Sequence, residues 1–244
     1  MIAYSYFNIK DIERERWVYR IIPIRLFQNI LITKQFGFVN PAKWGDPYEN
    51  FLLNQTFKTK NGYERSFKEL TKSLYGSCWT FNSNTDYGWK VYLKDEMGVQ
   101  IKTKFSHIYK HFEYLKNDQN VQTFQIGKVR YSRWKKLKEL YESQKKINIL
   151  TFLMDTSSFE KRYEYKHEKE VRILLRYLNH TQNLLLLDFD INELSKSIML
   201  DPRLSYKDFL LEKEKIKRLG FKGRIYRSLL YTAPKLDIKY ENIE

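Results

Sequence analysis

The chain has 244 residues, 42% apolar and 30% charged, a balance that points to a folded globular protein with a sizeable core and excludes a disordered one. Lys and Arg outnumber Asp and Glu by 44 to 29, and the net charge of +15 favours polyanionic partners over acid-rejecting ones. Cys78 is the only cysteine, which excludes an internal disulfide and a Cys-rich metal site, and the longest apolar run, "NLLLLDF" from Asn183, is too short to span a bilayer.

The first residues, "MIAYSYFNIKDIERERW", hold no apolar core of a secretory signal, so the expected location is cytoplasmic, away from membranes. "WVYRII" (17–22) is rich in aromatic and β-branched residues and predicts a strand. "IRLFQNILIT" (24–33), following Pro23, predicts a helix, and "FGFVN" (36–40) a short strand. "YERSFKELTKSLYG" (63–76) places Phe67, Leu70 and Leu74 at helical spacing with Gly76 at the end, which predicts an amphipathic helix. "SCWTF" (77–81) predicts a strand, "DYGWKVYLKDE" (86–96) a helix, and "GVQIKTK" (98–104) a strand of period two.

In the second half, "FQIGKVRYS" (124–132) predicts a strand. Ser132 then caps a helix running to about residue 150, with Trp134, Leu137, Leu140 and Tyr141 on its inner face. "EVRILLRYL" (170–178) and "NLLLLDFD" (183–190) form a predicted strand pair, and "SIML" (197–200) a further strand. Ser205 with Asp208 opens a helix that Gly220 stops, and "GRIYRSLLY" (223–231) closes the sheet. Strands and helices mix without βαβ regularity, and neither repeats nor linkers divide the chain. The expectation is one α+β domain over residues 1–244.

The chemistry-bearing candidates begin with "YKHEKEVRILLRY" (165–177). If residues 168–175 are extended, Glu168, Glu170 and Arg172 share one face while Val171, Ile173 and Leu175 enter the core. Neighbouring carboxylates suit the stabilisation of a cation or the acceptance of a proton; a solvent-facing strand with a loose ion pair is the plainer alternative, and a helical 160–178 would scatter the three. "NPAKWGDPYEN" (40–50) makes a tight turn at Gly45, Asp46 and Pro47, with Trp44 and Tyr48 beside it, able to stack a ring or to plug the core. In "SCWTFNSNTDYGWKVY" (77–92), Thr80 faces opposite to Trp79, and Trp89 and Tyr92 share a helical face; the aromatic residues can equally be core. Arg20 inside an apolar strand needs an anionic partner, either a phosphate or an acid such as Glu49 or Glu170. His107 and His111 stand four apart but among aromatic and basic residues, and no metal site is expected. Two windows, 128–146 and 206–227, each hold eight Lys or Arg, against two and three acids, and mark either nucleic-acid contacts or solvated helix faces.

The succession "WGDPYE", "CWTF", "YGWKVY", "GVQI", "GKVRY" and "FEKRYEYKHEKEVRIL", over residues 17–230, resembles a widespread bacterial family known only as a domain of unknown function. Gly45 and Thr80 stand where that family usually has Asn and Ser. The early Arg, the mid-chain Thr and the late Glu-x-Glu are also similar to the layout of ADP-ribosyltransferases. That resemblance implies a split mixed sheet with flanking helices and NAD as substrate, without a metal. It implies that Arg20 holds the NAD phosphates, that Thr80 steadies the catalytic carboxylate, and that Trp89 or Tyr92 covers the nicotinamide ribose. Trp44 and Asp46 are further cofactor-binding candidates. Glu170 would stabilise the ribosyl cation and Glu168 would orient the acceptor, which is a nucleic acid or a protein. A role as a toxin or in phage defence, with an antitoxin partner, belongs to the same resemblance; a non-enzymatic nucleic-acid-binding module and a metal-free nuclease are the competing readings.

Overall fold

Residues 3–46, 56–58, 61–66, 72–143 and 157–234 are described by a computed structural model. Alternation in "WVYRIIP" builds strand β2 (Trp17–Pro23), whose Val18 and Ile22 are buried. Pro23 ends the strand and opens helix α1 (Ile24–Thr33), which buries Ile24, Phe27, Ile30 and Leu31 and closes with Lys34 in the left-handed region. Strand β3 (Gln35–Val39) follows directly, burying Phe36 and Phe38.

One mixed sheet organises the chain, in the order β1 (Ala3–Phe7), β8 (Val121–Lys128), β11 (Glu170–Tyr177), β6 (Leu74–Thr80), β2, β7 (Gly98–Lys104), β13 (Ser197–Leu200), β14 (Arg224–Arg227). Strand β1 runs parallel to β8 and β13 parallel to β14, while β11, β6, β2 and β7 pair antiparallel with their neighbours. The fold is α+β, as expected. Strand β6 meets β2 through one ladder pair, Tyr19 with Thr80, and at its other end it meets β3 through Val39 and Gly76. Between those points its neighbours diverge, and the sheet is split there.

The main core lies on the face bearing Val18, Tyr75, Trp79, Ile101, Phe124, Ile126, Val171, Ile173 and Leu175. Helix α3 (Phe105–His111) contributes Phe105 and Ile108 to it, and helix α6 (Tyr206–Arg218) contributes Phe209 and Ile216. The opposite face carries a small cluster of Ile21, Trp89 and Leu93, formed where helix α2 (Asp86–Leu93) packs on β2. Thr85 caps α2 by accepting a hydrogen bond from the Gly88 amide at 3.2 Å. Among the described residues no helix is long and apolar enough to cross a membrane.

Four expectations need correction. At its two described ends, the helix predicted over 63–76 gives way to β5 (Glu64–Ser66) and to the start of β6 at Leu74; residues 67–71 lie outside those described. Leu74 and Tyr75 are buried on successive sides of a central strand, so residues 74–76 belong to that strand and not to the predicted helix. Gly76 stops no helix. It admits the Trp44 ring, which would lie 2.6 Å from a Cβ there. Strand β12 (Leu184–Asp188) pairs with β3 instead of β11, because both edges of β11 are already occupied by β8 and β6. In helix α4 (Trp134–Ser143) Trp134 faces outward at 44% exposure instead of inward. Finally, Glu168 is not extended: it ends a 3-10 turn, Tyr163–Glu168, and β11 starts at Glu170.

Candidate active site: a carboxylate pair beside the split

Lys169 separates Glu168 from Glu170 and adopts φ 44°, a left-handed conformation. The chain therefore turns between the two acids. The turn is held from β6: the Thr80 hydroxyl donates to the Glu168 carbonyl at 2.5 Å, and the Phe81 amide donates to the Lys169 carbonyl at 3.1 Å. Asn82 adds a side-chain hydrogen bond to the His167 carbonyl at 2.6 Å. Thr80 thus fixes the backbone that carries the acids, where the resemblance implied contact with a carboxylate.

Both acids are buried, Glu168 to 7% and Glu170 to 4% exposure, and both converge on Lys161 of β10 (Glu160–Arg162). The Lys161 ammonium donates to Glu168 Oε2 at 2.6 Å and to Glu170 Oε2 at 3.1 Å. Arg172 grips Glu170 with both arms, Nε to Oε1 at 2.8 Å and Nη2 to Oε2 at 3.1 Å, and its Nη1 donates to the Ser158 carbonyl at 2.7 Å. Tyr87 donates to Glu168 Oε1 at 3.2 Å, and the Glu170 amide donates to the Tyr131 hydroxyl at 2.7 Å.

Burial alone would raise the Glu170 carboxyl, but Arg172, with Lys161 and the Cys78 thiol, overrides it and holds the group down at about 2. A carboxylate held below its ordinary 4.5 stabilises the fold at higher pH, and that contribution is lost as pH falls through the folded value. Stability is therefore expected to fall between about pH 4.5 and 2, with a shallower fall in Glu170→Gln. Thermal melts across that range check this, and superimposable profiles of the two proteins would contradict it.

Arg20 alternates with Tyr19 and Ile21, so it leaves β2 toward the core face. Its guanidinium donates to the Ser77 hydroxyl and stacks on Phe36 at 4.8 Å on that face, while Glu170 and Thr80 point from their strands to the opposite one. Among the described residues no carboxylate lies within ion-pair distance of it, and burial pushes it down to about 10. A small cavity of about 20 Å³ in the split is lined by Arg20 together with Cys78, Thr80 and Tyr92. Tyr92 is 42% exposed, and burial, with Glu168 and Glu170 nearby, pushes its phenol up. The structure thus brings Arg20, Thr80, Tyr92, Glu168 and Glu170 to one region, with Cys78 between Arg20 and Glu170.

Trp89 is fully buried, with its ring nitrogen on Asn84 at 3.0 Å, and offers no face to a ligand; of the two aromatic candidates on α2, Tyr92 is the one that reaches the cavity. Trp44 lies over Arg172 at 4.5 Å, and Asp46 accepts from Arg162 at 3.0 Å, so this loop buttresses the carboxylate cluster from behind. Tyr48 lies outside the described residues. Sequence reasoning missed Lys161, Tyr87 and Tyr131, and no spacing in the sequence links them to the acids. Among the described residues no three His, Cys, Asp or Glu side chains form a metal-ligand group.

No protein-family model matches the chain, and no curated protein matches it in sequence. Solved structures of Thermus sp. 2.9 DarT are similar to it in shape. The complex with carba-NAD+ matches over 88% of this chain and 96% of its own at 9% identity and a TM-score of 0.39. The complex with ADP-ribosylated ssDNA matches over 88% and 94% at 10% identity and 0.41, and the complex with NAD+ over 88% and 96% at 10% identity and 0.38.

Proposed function

We propose that the chain is an ADP-ribosyltransferase-like enzyme that cleaves NAD and passes ADP-ribose to a nucleic-acid acceptor. The observation that carries this reading is the split itself: Arg20, with no carboxylate partner among the described residues, lines it, and a buried carboxylate pair stands beside it. Arg20 suits a pyrophosphate, whose paired oxygens match its fork of donors. Tyr92 supplies the partly exposed ring that can cover the nicotinamide ribose.

In this reading the bond from ribose C1 to the nicotinamide nitrogen breaks, and its electron pair leaves with nicotinamide. The cation left on the ribose faces Glu170. An acceptor nitrogen or oxygen bonds to that carbon, and its proton passes to Glu168 and then to water. Lys161 supports the assignment because both carboxylates already converge on its one positive charge. Preorganised charge acts most strongly where water is excluded, and both acids are buried. A cavity of about 20 Å³ holds a single water, so a dinucleotide enters only when the split widens and Lys161 yields its place.

One observation favours a non-enzymatic nucleic-acid-binding module: Lys161 and Arg172 already neutralise the two acids. The two readings separate when the purified protein is incubated with NAD and nicotinamide is followed by chromatography. Release of nicotinamide, faster with single-stranded nucleic acid present, is the expected result. No release under either condition would overturn the transferase reading.

A further inference from the structure

Strand register places two rows of side chains on the face of the sheet opposite the main core. Tyr19, Lys102, Ser197 and Arg224 form one row across β2, β7, β13 and β14; Ile21, Gln100, Met199 and Tyr226 form the next. Trp17 and Lys104 begin a third. The reverse of these strands is apolar, with Val18, Ile101, Ile198 and Ile225 buried. The front is aromatic and cationic: Trp17 and Tyr226 are 45% and 46% exposed, Lys102 sits 4.4 Å over the Trp17 ring, and Arg224 is exposed. Among the described residues the one acid bonded to these cations is Glu15, on Lys104 at 2.8 Å.

A cavity of about 300 Å³ opens into this face between the sheet and the loop before α2, lined by Tyr19, Ser83, Gln100, Lys102, Met199 and Tyr226. That volume is at the lower end for ligand sites. Gln100 forms its floor at 2% exposure, and its Nε2 has no hydrogen-bond partner among the described residues. A buried amide donor without an acceptor is costly, and a carbonyl or ring nitrogen of a ligand would satisfy it. Tyr19 also lines the split cavity that holds Thr80 and Tyr92, so the two cavities share a wall.

We propose that this face binds single-stranded nucleic acid, with one base seated in the cavity on Gln100, its neighbours stacked on Tyr226 and Trp17, and phosphates met by Lys102, Lys104 and Arg224. In a single strand, splayed bases stack on exposed rings and leave their edges free for a side-chain amide, whereas in a duplex those faces and edges are taken up by stacking and pairing. Three strand spacings across β2 to β14 span roughly 14 Å, room for more than one nucleotide. The proposal deepens the reading above by locating the acceptor, and rests on it only for the chemistry that follows binding.

The test is fluorescence anisotropy with labelled DNA and RNA homopolymers at low salt, without NAD, using the full chain. Tyr226→Ala, at an exposed site, is expected to weaken binding roughly 5- to 100-fold, the effect of losing one stacked base. Gln100→Leu is expected to erase the preference among homopolymers, and Lys213→Ala on α6 to change nothing. Equal affinity for wild type, Tyr226→Ala and Gln100→Leu would overturn the proposal, as would absence of binding. So would loss of NAD affinity in Gln100→Leu with unchanged oligonucleotide binding, because the cavity would then belong to the donor. Oligonucleotide binding that responds to these variants, without any release of nicotinamide from NAD, would sink the transferase reading and leave this surface standing.

Discussion

Arg172→Met is expected to lower the free energy of unfolding by about 3–5 kcal/mol, the usual cost of removing one partner of a buried ion pair. Arg172 is 1% exposed and holds Glu170, at 4%, through two hydrogen bonds. Methionine would fill much of the volume but leave the Glu170 carboxylate with Lys161 and Cys78 alone, strip the Ser158 carbonyl of its donor, and remove the cation under Trp44. Native domains are stable by about 5–15 kcal/mol, so the loss would be a large fraction of the total. Urea unfolding measures it directly. The double variant Glu170→Gln with Arg172→Met should lose less than the two single variants added together, because the residues share one interaction. A change below about 1 kcal/mol in Arg172→Met would place the pair among weak surface bridges and contradict its burial.

Glu170→Gln should reduce nicotinamide release by roughly 10²–10³-fold, the scale of losing one preorganised electrostatic contact in an active site. Glutamine keeps the shape of the side chain and removes the charge that would face the ribosyl cation. Lys161 and Arg172 would then confront that cation with their own charges unopposed by Glu170, which adds to the loss. Oligonucleotide affinity, read on the same sample, should stay near that of wild type and would show that the variant is folded. Turnover within a few-fold of wild type would remove Glu170 from the chemistry.

Much of the architecture could be read from local pattern. The alternation in "GVQIKTK", the proline before α1, the Ser205 cap and the left-handed Gly220 each act within a few residues, and each element formed where its pattern placed it. "SCWTF" marks the second half of strand β6, but its start at Leu74 to Gly76 escaped the pattern because the strand is buried on both sides and its residues do not alternate. The partner of β12 was misread because neighbours in a sheet are chosen by which edges remain open, a property of the whole fold. At the site, the acids stood out as charge at the mouth of an apolar strand. Lys161 did not: its role depends on β10 pairing with β9 (Arg130–Ser132) and on Lys169 turning the chain, neither of which leaves a local mark.

The lone ladder pair between Tyr19 and Thr80 has a mechanical consequence. A seam closed at one point acts as a hinge, and parting it breaks fewer hydrogen bonds than parting β2 from β7 or β6 from β11, the strands on either side of it. Access for a bulky molecule would then come from the rotation of one half-sheet against the other, which moves the Arg20 strand and the strand bearing Thr80 apart as rigid units. Occupancy of the gap and the relative orientation of the two halves would thus be coupled, so that a molecule wedged there would be felt at both outer edges of the protein.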